Sequence, residues 1–574
     1  MPPLERVLID YDLGLLRLMA ELGGVELTAP SQREAAGQLA RRLLEPERLA
    51  ANIAALPVPA RAALEALRGA GGRLPRARFT RAYGEVRAMG QARREREQPW
   101  RHAPSPAETL WYRALTAHAF FESEAGPQEF TFIPEDLLKL LPAAPDPPPA
   151  ALPPAAPPGQ SAEAPAAVRA GAFQLADDVV TLLAYAQRVP LRLEPGTLTT
   201  RQPDVVRRFL HAPEALDLAF QLAIQLKFLT GAPLRPDPAP ARSFLELTRL
   251  AQTQTLAAAW RASTDWNDLL RLPGLVFEGH AWRNDPVLAR EAILAQLAAV
   301  PAGEWWSLES FVAAIKERTP DFQRPAGDYD AWYIRDAETD AYLRGFEHWE
   351  RVDGALVRWF IEGPLHWLGL VDVAAPRAAP APAKPRSLRR AGRATAAFRV
   401  TPAGAAFLGR GAWPAAGDPA AATHVHIGLD AVISAPAALA PYQRFRLARV
   451  AKWVGLEADT YTYRLAPSAL RRARQQGVEV GRIVDFLREI AAEPGLPPSV
   501  LAALERWARA GQEAAVQEFL VLRVKSPDVL EALRRTPRVQ DYLGRPLGPT
   551  AIEVRREAAD RLRGALAELG ILTD

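Results

Sequence analysis

Apolar residues recur every three or four positions along most of the chain, which is the spacing of amphipathic helices. Ala35, Leu39 and Leu43 show this spacing near the start, and it continues over residues 243–263. Alternation of apolar and polar residues, typical of half-buried strands, occurs only in short pieces such as residues 425–434. The pattern therefore predicts a mostly α protein with small β-wings, in the α+β class.

Two parts of the chain place a helix before short strands, the order typical of winged-helix units. In the first, residues 105–108 have the spacing of a capping box at a helix start, and a strand is predicted at 129–133. In the second, a helix over residues 360–370 precedes two wing strands predicted at 370–374 and 398–401. We expect multiple winged-helix or helix-turn-helix units.

Short helices also surround a Gly-rich turn at residues 69–75, which predicts a helix-turn-helix or SAP-like module. A plain helical bundle is the alternative. The densest run of positive charge begins at this turn, and guanidinium groups neutralise phosphates and release their counterions. The predicted nucleic-acid contacts here are Arg73, Arg76, Arg78 and Arg81. The alternative is a solvated face in an Arg-rich protein.

The second basic stretch lies between the two predicted wing strands, in an insertion at residues 375–397 that contains no acidic residue. A long basic wing suits contact with a phosphate backbone. The predicted contacts are Arg386, Arg389, Arg390 and Arg393. A disordered basic loop is the alternative interpretation of the same residues.

Composition changes along the chain predict where domains begin and end. Residues 142–170 consist largely of Pro and Ala and predict an extended linker rather than a core. The predicted organisation is an N-terminal helical and winged-helix region at 1–141, the linker at 142–170, a central helical region at 171–300, a winged-helix domain at 301–410 that contains the insertion, and a C-terminal α+β domain at 424–574.

Composition otherwise describes an ordinary water-soluble protein. The 574 residues carry a formal net charge of +4, too small to indicate a nucleic-acid partner by itself. The chain has no Cys, which excludes disulfides, thiolate zinc sites and cysteine nucleophiles. Neither a signal peptide nor a transmembrane run is apparent, so a cytoplasmic location and no membrane partner are expected.

The sequence shows no motif for catalysis. It lacks the G-x-x-x-x-G-K-[ST] loop, and the similar stretch at 544–550 has no lysine to reach phosphates. No acidic box follows an apolar strand. His424 and His426 alternate on one strand without a third ligand nearby, so no metal or cofactor is predicted. The Trp residues within 305–367 share no common spacing, which favours core packing over a stacking site.

The C-terminal region resembles a known family. The order strand, Ala-Pro, helix, Y-x-L-x-P-S-x-L-x-x-A, then G-V and a helix ending in L-P-P-S-V is similar to the helicase-associated domain of XPB and its relatives, which precedes the motor and also occurs in motorless bacterial proteins. The residues that carry the resemblance are Tyr463, Leu465, Pro467, Ser468, Leu470, Ala473, Gly477, Val478, Phe486, Leu487, Leu496 and Pro497.

The resemblance implies an accessory, motorless protein that acts beside a helicase. It favours a non-catalytic DNA-binding protein of helicase, repair or transcription machinery. It equally allows an adaptor that docks an XPB-type helicase without binding DNA, because similar domains pair with like-folded partners. For that alternative the candidate docking residues are Arg471, Arg472 and Arg474. An unrecognised enzyme is a third class, which would show a deep pocket with convergent polar residues.

Overall fold

The computed structural model of the protein describes residues 1–123, 126–141, 156–194, 197–198, 202–279, 284–324, 326–374, 397–415, 424–511 and 519–573. The chain divides into two compact units, one made of Met1–His426 and Ile433–Arg464 and the other of Ile427–Val432 and Leu465–Asp574. About half of the chain is helical and the sheets are small, which confirms the α+β class. Within these ranges no helix has the length and apolarity needed to cross a bilayer.

The N-terminal part of the first unit is a cluster of short helices beside a three-stranded antiparallel sheet ordered β1-β3-β2. Its elements are α1 (Leu4–Leu8), α2 (Leu13–Leu22), α3 (Gln32–Leu43), α4 (Pro46–Ala54), α5 (Val58–Gly69), β1 (Arg73–Pro75), α6 (Arg76–Tyr83), α7 (Gln91–Glu97), α8 (Pro106–Tyr112), β2 (Ala117–Ser123), β3 (Gly126–Phe132) and α9 (Glu135–Leu140). The apolar faces of the helices meet in one core that includes Leu16, Leu39 and Leu64. Leu4 and Asp136 tie the two ends of this part together, since the backbone N–H of Leu4 donates to the Asp136 carboxylate at 2.9 Å.

The middle of the first unit is built around one fully buried helix, α10. The elements in order are β4 (Val168–Arg169), α10 (Gln174–Ala186), β5 (Leu193–Glu194), β6 (Thr197–Leu198), α11 (Gln202–Arg207), α12 (Leu216–Gln225), β7 (Leu229–Thr230), β8 (Arg235–Pro236), α13 (Pro238–Leu245), α14 (Arg249–Ala262), β9 (Leu275–Phe277) and α15 (Pro286–Ala298). Every residue of α10 from Leu175 to Ala186 is buried. Helices α12, α14 and α19 (Pro441–Val450) surround it.

The next part of the first unit is a four-stranded sheet ordered β10-β13-β12-β4. Its elements are β10 (Trp305–Ser307), α16 (Leu308–Arg318), β11 (Ile334–Asp336), α17 (Trp349–Phe360), β12 (Val371–Ala374), β13 (Ala397–Val400) and α18 (Pro402–Phe407). After α17 the chain makes a π-helical turn at Ile361–Leu365 that contains Pro364, and it is kinked at Gly363, whose backbone is not helical. A buried ion pair between Arg324 and Asp353 attaches the segment before α17 to that helix.

Residues 156–170, the described part of the predicted linker, contact this sheet at several points. The indole N–H of Trp306 donates to the carbonyl of Pro158 at 2.7 Å. Further along, β4 pairs with β12, and the N–H of Gly171 donates to Asp372 at 2.7 Å. Backbone pairing and side-chain hydrogen bonds therefore fix this stretch on the first unit.

The last elements of the first unit come from the predicted C-terminal region. They are β14 (His426–Ile427), β15 (Val432–Pro436), α19, β16 (Lys452–Glu457) and β17 (Thr460–Arg464), of which β14 and β15 lie where the chain passes between the units. Strands β16 and β17 form an antiparallel hairpin. Its inward side chains, Trp453, Tyr461 and Tyr463, are buried.

A buried charged cluster joins α19 to α10. The guanidinium of Arg444 donates to Thr181 Oγ1 at 2.7 Å and to the carbonyl of Asp177 at 2.6 Å, and it lies 4.3 Å from the ring centre of Tyr461. The carboxylate of Asp177 pairs with Arg249 on α14. Because buried charges have lost their hydration, removal of one member of this cluster would leave the others uncompensated at a large cost in stability.

The second unit contains three helices followed by an α/β module. Its elements are α20 (Pro467–Gln475), α21 (Val480–Ile490), α22 (Pro498–Ala510), β18 (Leu520–Arg523), α23 (Pro527–Arg535), α24 (Pro537–Gln540), β19 (Leu543–Gly548), β20 (Ala551–Val554) and α25 (Ala559–Glu568). The sheet is ordered β18-β20-β19. Its core includes Leu530, Leu533, Ile552 and Leu566, which places α23 and α25 on one face of the sheet.

Candidate nucleic-acid interface

Helix α6 presents the first predicted basic surface. It begins at Arg76, directly after β1, and its only fully buried side chain is Phe79. With one apolar anchor, the rest of the helix surface is available to polar residues at helical spacing. Arg78 and Arg81, three positions apart, therefore leave the same side of the helix, and Arg76 leaves a different side.

The four predicted arginines make different contacts within the protein. Arg73 lies over the rings of Phe121 and Phe130, 5.3 and 5.2 Å from their centres. Arg76 forms an ion pair of 2.7 Å with Glu129 on β3. Arg78 is exposed and has no ion pair within the described part of the chain. Of these three, Arg78 is the most available to a phosphate.

Arg81 has an intramolecular role that the charge pattern did not indicate. It pairs with Asp321, donates toward the carbonyl of Gly327, and lies 4.9 Å from the ring centre of Phe346. It also lies 5.4 Å from the ring centre of Tyr329. The pKa of the Tyr329 hydroxyl is raised, chiefly by burial and then by the nearby carboxylates. Arg81 therefore binds the segment around residues 321–346 to α6.

A groove of about 850 Å³ lies between α6, the β2–β3 hairpin and residues 326–346 of the first unit. Phe120 projects into it from β2 with 72% of its surface exposed. The charged lining is mixed, because the two guanidiniums are outnumbered by four carboxylates. These side chains are Arg76, Arg81, Glu85, Glu129, Asp328 and Asp330. The groove is therefore not a simple basic channel for phosphates.

The base of the hairpin contains a neutral histidine. His118 Nδ1 lies 3.1 Å from Thr131 Oγ1, and its Nε2 is buried without a partner in the described structure. Burial lowers the pKa of His118 to about 4, and the charge of Arg76 contributes to this decrease. At neutral pH this ring contributes no positive charge to the surface.

The four predicted wing residues, Arg386, Arg389, Arg390 and Arg393, lie outside the described residues. The strands on either side of the insertion are well anchored, since β12 and β13 are paired and largely buried. Arg399 on β13 forms an ion pair of 2.6 Å with Asp372 on β12. The same Arg399 lies 4.9 Å from the ring centre of Trp305. The insertion therefore begins and ends on a fixed two-stranded base.

The helices that precede the two hairpins are largely enclosed. In α8, Ala107, Glu108, Leu110 and Tyr112 are buried. In α17 most residues are buried as well. A helix that reads base edges must present an exposed row of polar side chains to the major groove. Neither α8 nor α17 does so.

The three predicted docking residues lie on α20, in the second unit. Leu470 and Ala473 face inward, whereas Arg471 and Arg474 are exposed. Arg472 is half-buried, its Nε has no partner in the described structure, and burial lowers its pKa. Arg471 and Arg474 therefore point to the surface, and Arg472 lies partly within the protein.

Metal-binding and acid–base chemistry have little support in the described ranges. They contain no group of three or more His, Asp or Glu residues placed to hold a metal ion. A carboxylate with a strongly shifted pKa is Asp178, raised to about 7 by burial although the N–H groups of His211 and Ala212 donate to it. Asp178 is enclosed by α10 and its neighbours, so this geometry is that of a structural contact.

Sequence reasoning missed the exposure of Phe120 and the role of Arg444. Phe120 lies on the same face of β2 as His118 and Glu122, because side chains two positions apart on a strand point the same way. One apolar residue between two polar ones on a strand face was a signal for an exposed aromatic side chain. Arg444 gave no local signal, because its partners lie more than 260 residues away.

Comparison with known proteins relates the C-terminal part of the chain to helicases. Residues 425–548 match the family model described as the helicase conserved C-terminal domain. The chain is also 33% identical over 114 residues to the protein named DNA 3'-5' helicase XPB from Kineococcus radiotolerans, an alignment that covers 19% of this chain and 20% of that protein. The chain thus matches about a fifth of the length of this curated relative, and the predicted similarity to XPB is supported over that stretch. The protein is therefore helicase-related in its C-terminal region.

Proposed function

We propose that this protein is a non-catalytic, DNA-binding accessory factor of helicase, repair or transcription machinery. The observation that carries the proposal is the helicase similarity of residues 425–548 in a sequence that has neither a phosphate-binding lysine loop nor an acidic box. ATP-driven unwinding needs both motifs to hold nucleotide and metal. A motorless chain with a helicase-related segment fits an accessory role.

Two parts of the first unit support winged-helix architecture in this proposal. The order α5, β1, α6, α8, β2, β3, with the short α7 inserted before α8, gives a sheet ordered β1-β3-β2. The order α15, β10, α16, α17, β12, β13, interrupted by β11, which pairs with β9, repeats this arrangement, with strands ordered β10-β13-β12 and an added β4. In each, the last two strands form the hairpin whose loop would be the wing. The second wing is the basic insertion.

The enclosed helices α8 and α17 favour binding through the wings. Arg78 on α6 and the basic insertion between β12 and β13 supply guanidinium groups, whereas α8 and α17 present no exposed reading surface. Contacts of this kind neutralise phosphates and carry little sequence information. We therefore propose that affinity is strongly salt-dependent and nearly independent of sequence.

The test is fluorescence anisotropy of a forked duplex at about 50 and 200 mM salt. The test variant replaces Arg386, Arg389, Arg390 and Arg393 by Ala. Removal of one phosphate-binding arginine reduces the slope of log K against log salt by about 0.9, so a reduction of roughly three to four is expected if all four residues bind phosphates.

A matched control removes the same charge elsewhere, by replacing the exposed Arg6, Arg17, Arg33 and Arg41 by Ala. It should leave the slope unchanged. Equal slopes for both variants and the unmodified protein would reject the wing as a DNA contact, and failure to bind at low salt would reject DNA binding itself.

A second candidate function is an adaptor that docks an XPB-type helicase without binding DNA. The exposed arginines of α20 favour it, because they lie in the helicase-related segment. Size-exclusion chromatography with light scattering, using an XPB-type helicase and no DNA, tests this alternative. Replacement of Arg471 and Arg474 by Ala should weaken the complex and leave DNA affinity intact, whereas a parallel decrease in DNA affinity would place them on the DNA surface.

A further inference from the structure

A small apolar groove lies between α20 and α22 in the second unit. Its volume is about 270 Å³ and its lining is mostly apolar. Leu470 and Leu504 form its buried floor, Trp507 is half-buried, and Ala503 is exposed at its edge. A groove of this size accommodates one or two large apolar side chains as anchors.

Two further features suggest that the groove is not complete by itself. Leu429 lies two residues before Ala431, which lines the groove, and 80% of its surface is exposed. The indole N–H of Trp507 is hidden from solvent and donates to no acceptor in the described structure. An occupant that brings apolar side chains and an oxygen acceptor would fill the groove and accept the Trp507 N–H.

The charges of the two helices are strongly one-sided. Helix α20 carries Arg471, Arg472 and Arg474 and no acid, and α22 carries two Arg and one Glu, so the helices together have a formal charge of +4. Arg471 and Arg474 lie one helical turn beyond Pro467 and Leu470, which line the groove. The groove is therefore apolar at its floor and positively charged at its rim.

We propose that this groove binds one acidic amphipathic helix of a partner protein. Apolar side chains at helical spacing would fill the groove while carboxylates on either side meet the arginines, which is a common mode of peptide recognition. The inference rests on the adaptor function proposed above and specifies its surface and its partner. Nucleic acid fits less well, because a phosphate backbone would contact the rim and leave the apolar floor empty.

The absence of Cys from the chain makes a direct test possible. Ala503→Cys, at the edge of the groove, is labelled with an environment-sensitive dye. Ala502→Cys is the matched control, since Ala502 is exposed on the same helix and does not line the groove. The probe is a synthetic amphipathic helix of about 18 residues, with Leu at helical spacing and Glu on its flanks.

We expect saturable dye emission changes at position 503 and none at 502. A peptide with Lys in place of Glu, or Ala in place of Leu, should bind at least tenfold more weakly, as should the probe to Trp507→Ala. Ala503→Glu places a carboxylate at the edge of the groove without touching the core. It should also weaken binding at least tenfold, as measured by anisotropy of a labelled peptide.

Equal responses at 502 and 503, or equal binding of the Lys peptide, would overturn the proposal. A response at 503 produced by duplex DNA, or by dilution of the protein alone, would overturn it in favour of a nucleic-acid surface or of a second copy of the chain. Two outcomes separate the groove from the adaptor function. If the helicase complex still forms with Ala503→Glu, only the groove is rejected as the binding site. If the peptide binds but no helicase complex forms, only the adaptor function is rejected.

Discussion

Replacement of Arg444 by Ala tests whether the buried cluster holds α19 on α10. The guanidinium is fully buried and donates two charge-assisted hydrogen bonds, of 2.7 and 2.6 Å, to α10. Each such bond contributes about 1.5–3 kcal/mol, and removal of one member of a buried pair typically costs about 3–5 kcal/mol. Asp177 keeps its partner Arg249, so we expect a decrease in stability of about 3–5 kcal/mol rather than the sum of all the individual interactions.

The assay is urea unfolding followed by tryptophan fluorescence, with hydrogen–deuterium exchange of α10 and α19 to locate the effect. Lys452→Ala is the control, because it removes one positive charge from an exposed position two residues after α19. Arg444→Met keeps the bulk of the side chain and should recover part of the stability. If Arg444→Ala unfolds within about 1 kcal/mol of the control, the cluster does not stabilise this contact.

Other predictions concern pH, charge and the extended segment. Because burial raises the pKa of Asp178 to about 7, its folded-state pKa lies above the unfolded value. The free energy of unfolding should therefore fall by roughly 4 kcal/mol as pH rises from about 4 to 7. Urea titrations of Asp178→Asn should lack this pH-dependent decrease. Arg78→Ala should reduce the salt slope of DNA binding by about 0.9 and change stability by less than about 0.5 kcal/mol. Arg81→Ala should lower stability by about 1–3 kcal/mol and release the segment it contacts, as seen by limited proteolysis. A larger loss of stability for Arg78→Ala than for Arg81→Ala would contradict the structure. Trp306→Phe removes the 2.7 Å bond to Pro158 and should accelerate protease cleavage near residue 158; unchanged cleavage would mean that the backbone pairing alone holds the segment.

Local signals in the sequence predicted local structure well. Ser105 caps α8, with the N–H of Glu108 donating to its hydroxyl at 3.1 Å, as the capping-box spacing indicated. The Glu108 side chain, however, turns to Arg87 instead of completing the box. The Trp residues at 306, 349 and 367 are buried, which confirms the core interpretation for them. Such features depend on neighbours a few positions away.

Features that depend on distant partners could not be predicted. The basic run at Arg73–Arg81 looks uniform in sequence, yet Arg81 meets Asp321 about 240 residues away and becomes an internal contact. The carboxylates of Asp177 and Asp178 both hold other elements to α10, and their partners lie more than 30 positions away in the sequence. The number of charged residues in a stretch of sequence does not distinguish a side chain that pairs within the fold from one that is exposed and able to bind a ligand.

The segment that matches the helicase family model, residues 425–548, is continuous in sequence but is divided between the two units. Residues 425–426 and 433–464 belong to the first unit, and the rest of the segment belongs to the second. A protein fragment that began at residue 424 would carry Arg444 without Thr181 and Asp177, and would expose Tyr461 and Tyr463 to water. The boundary of the sequence match therefore differs from the boundary of the folded unit. A gene fusion made at the start of the sequence match would remove residues 433–464 from the unit in which they fold.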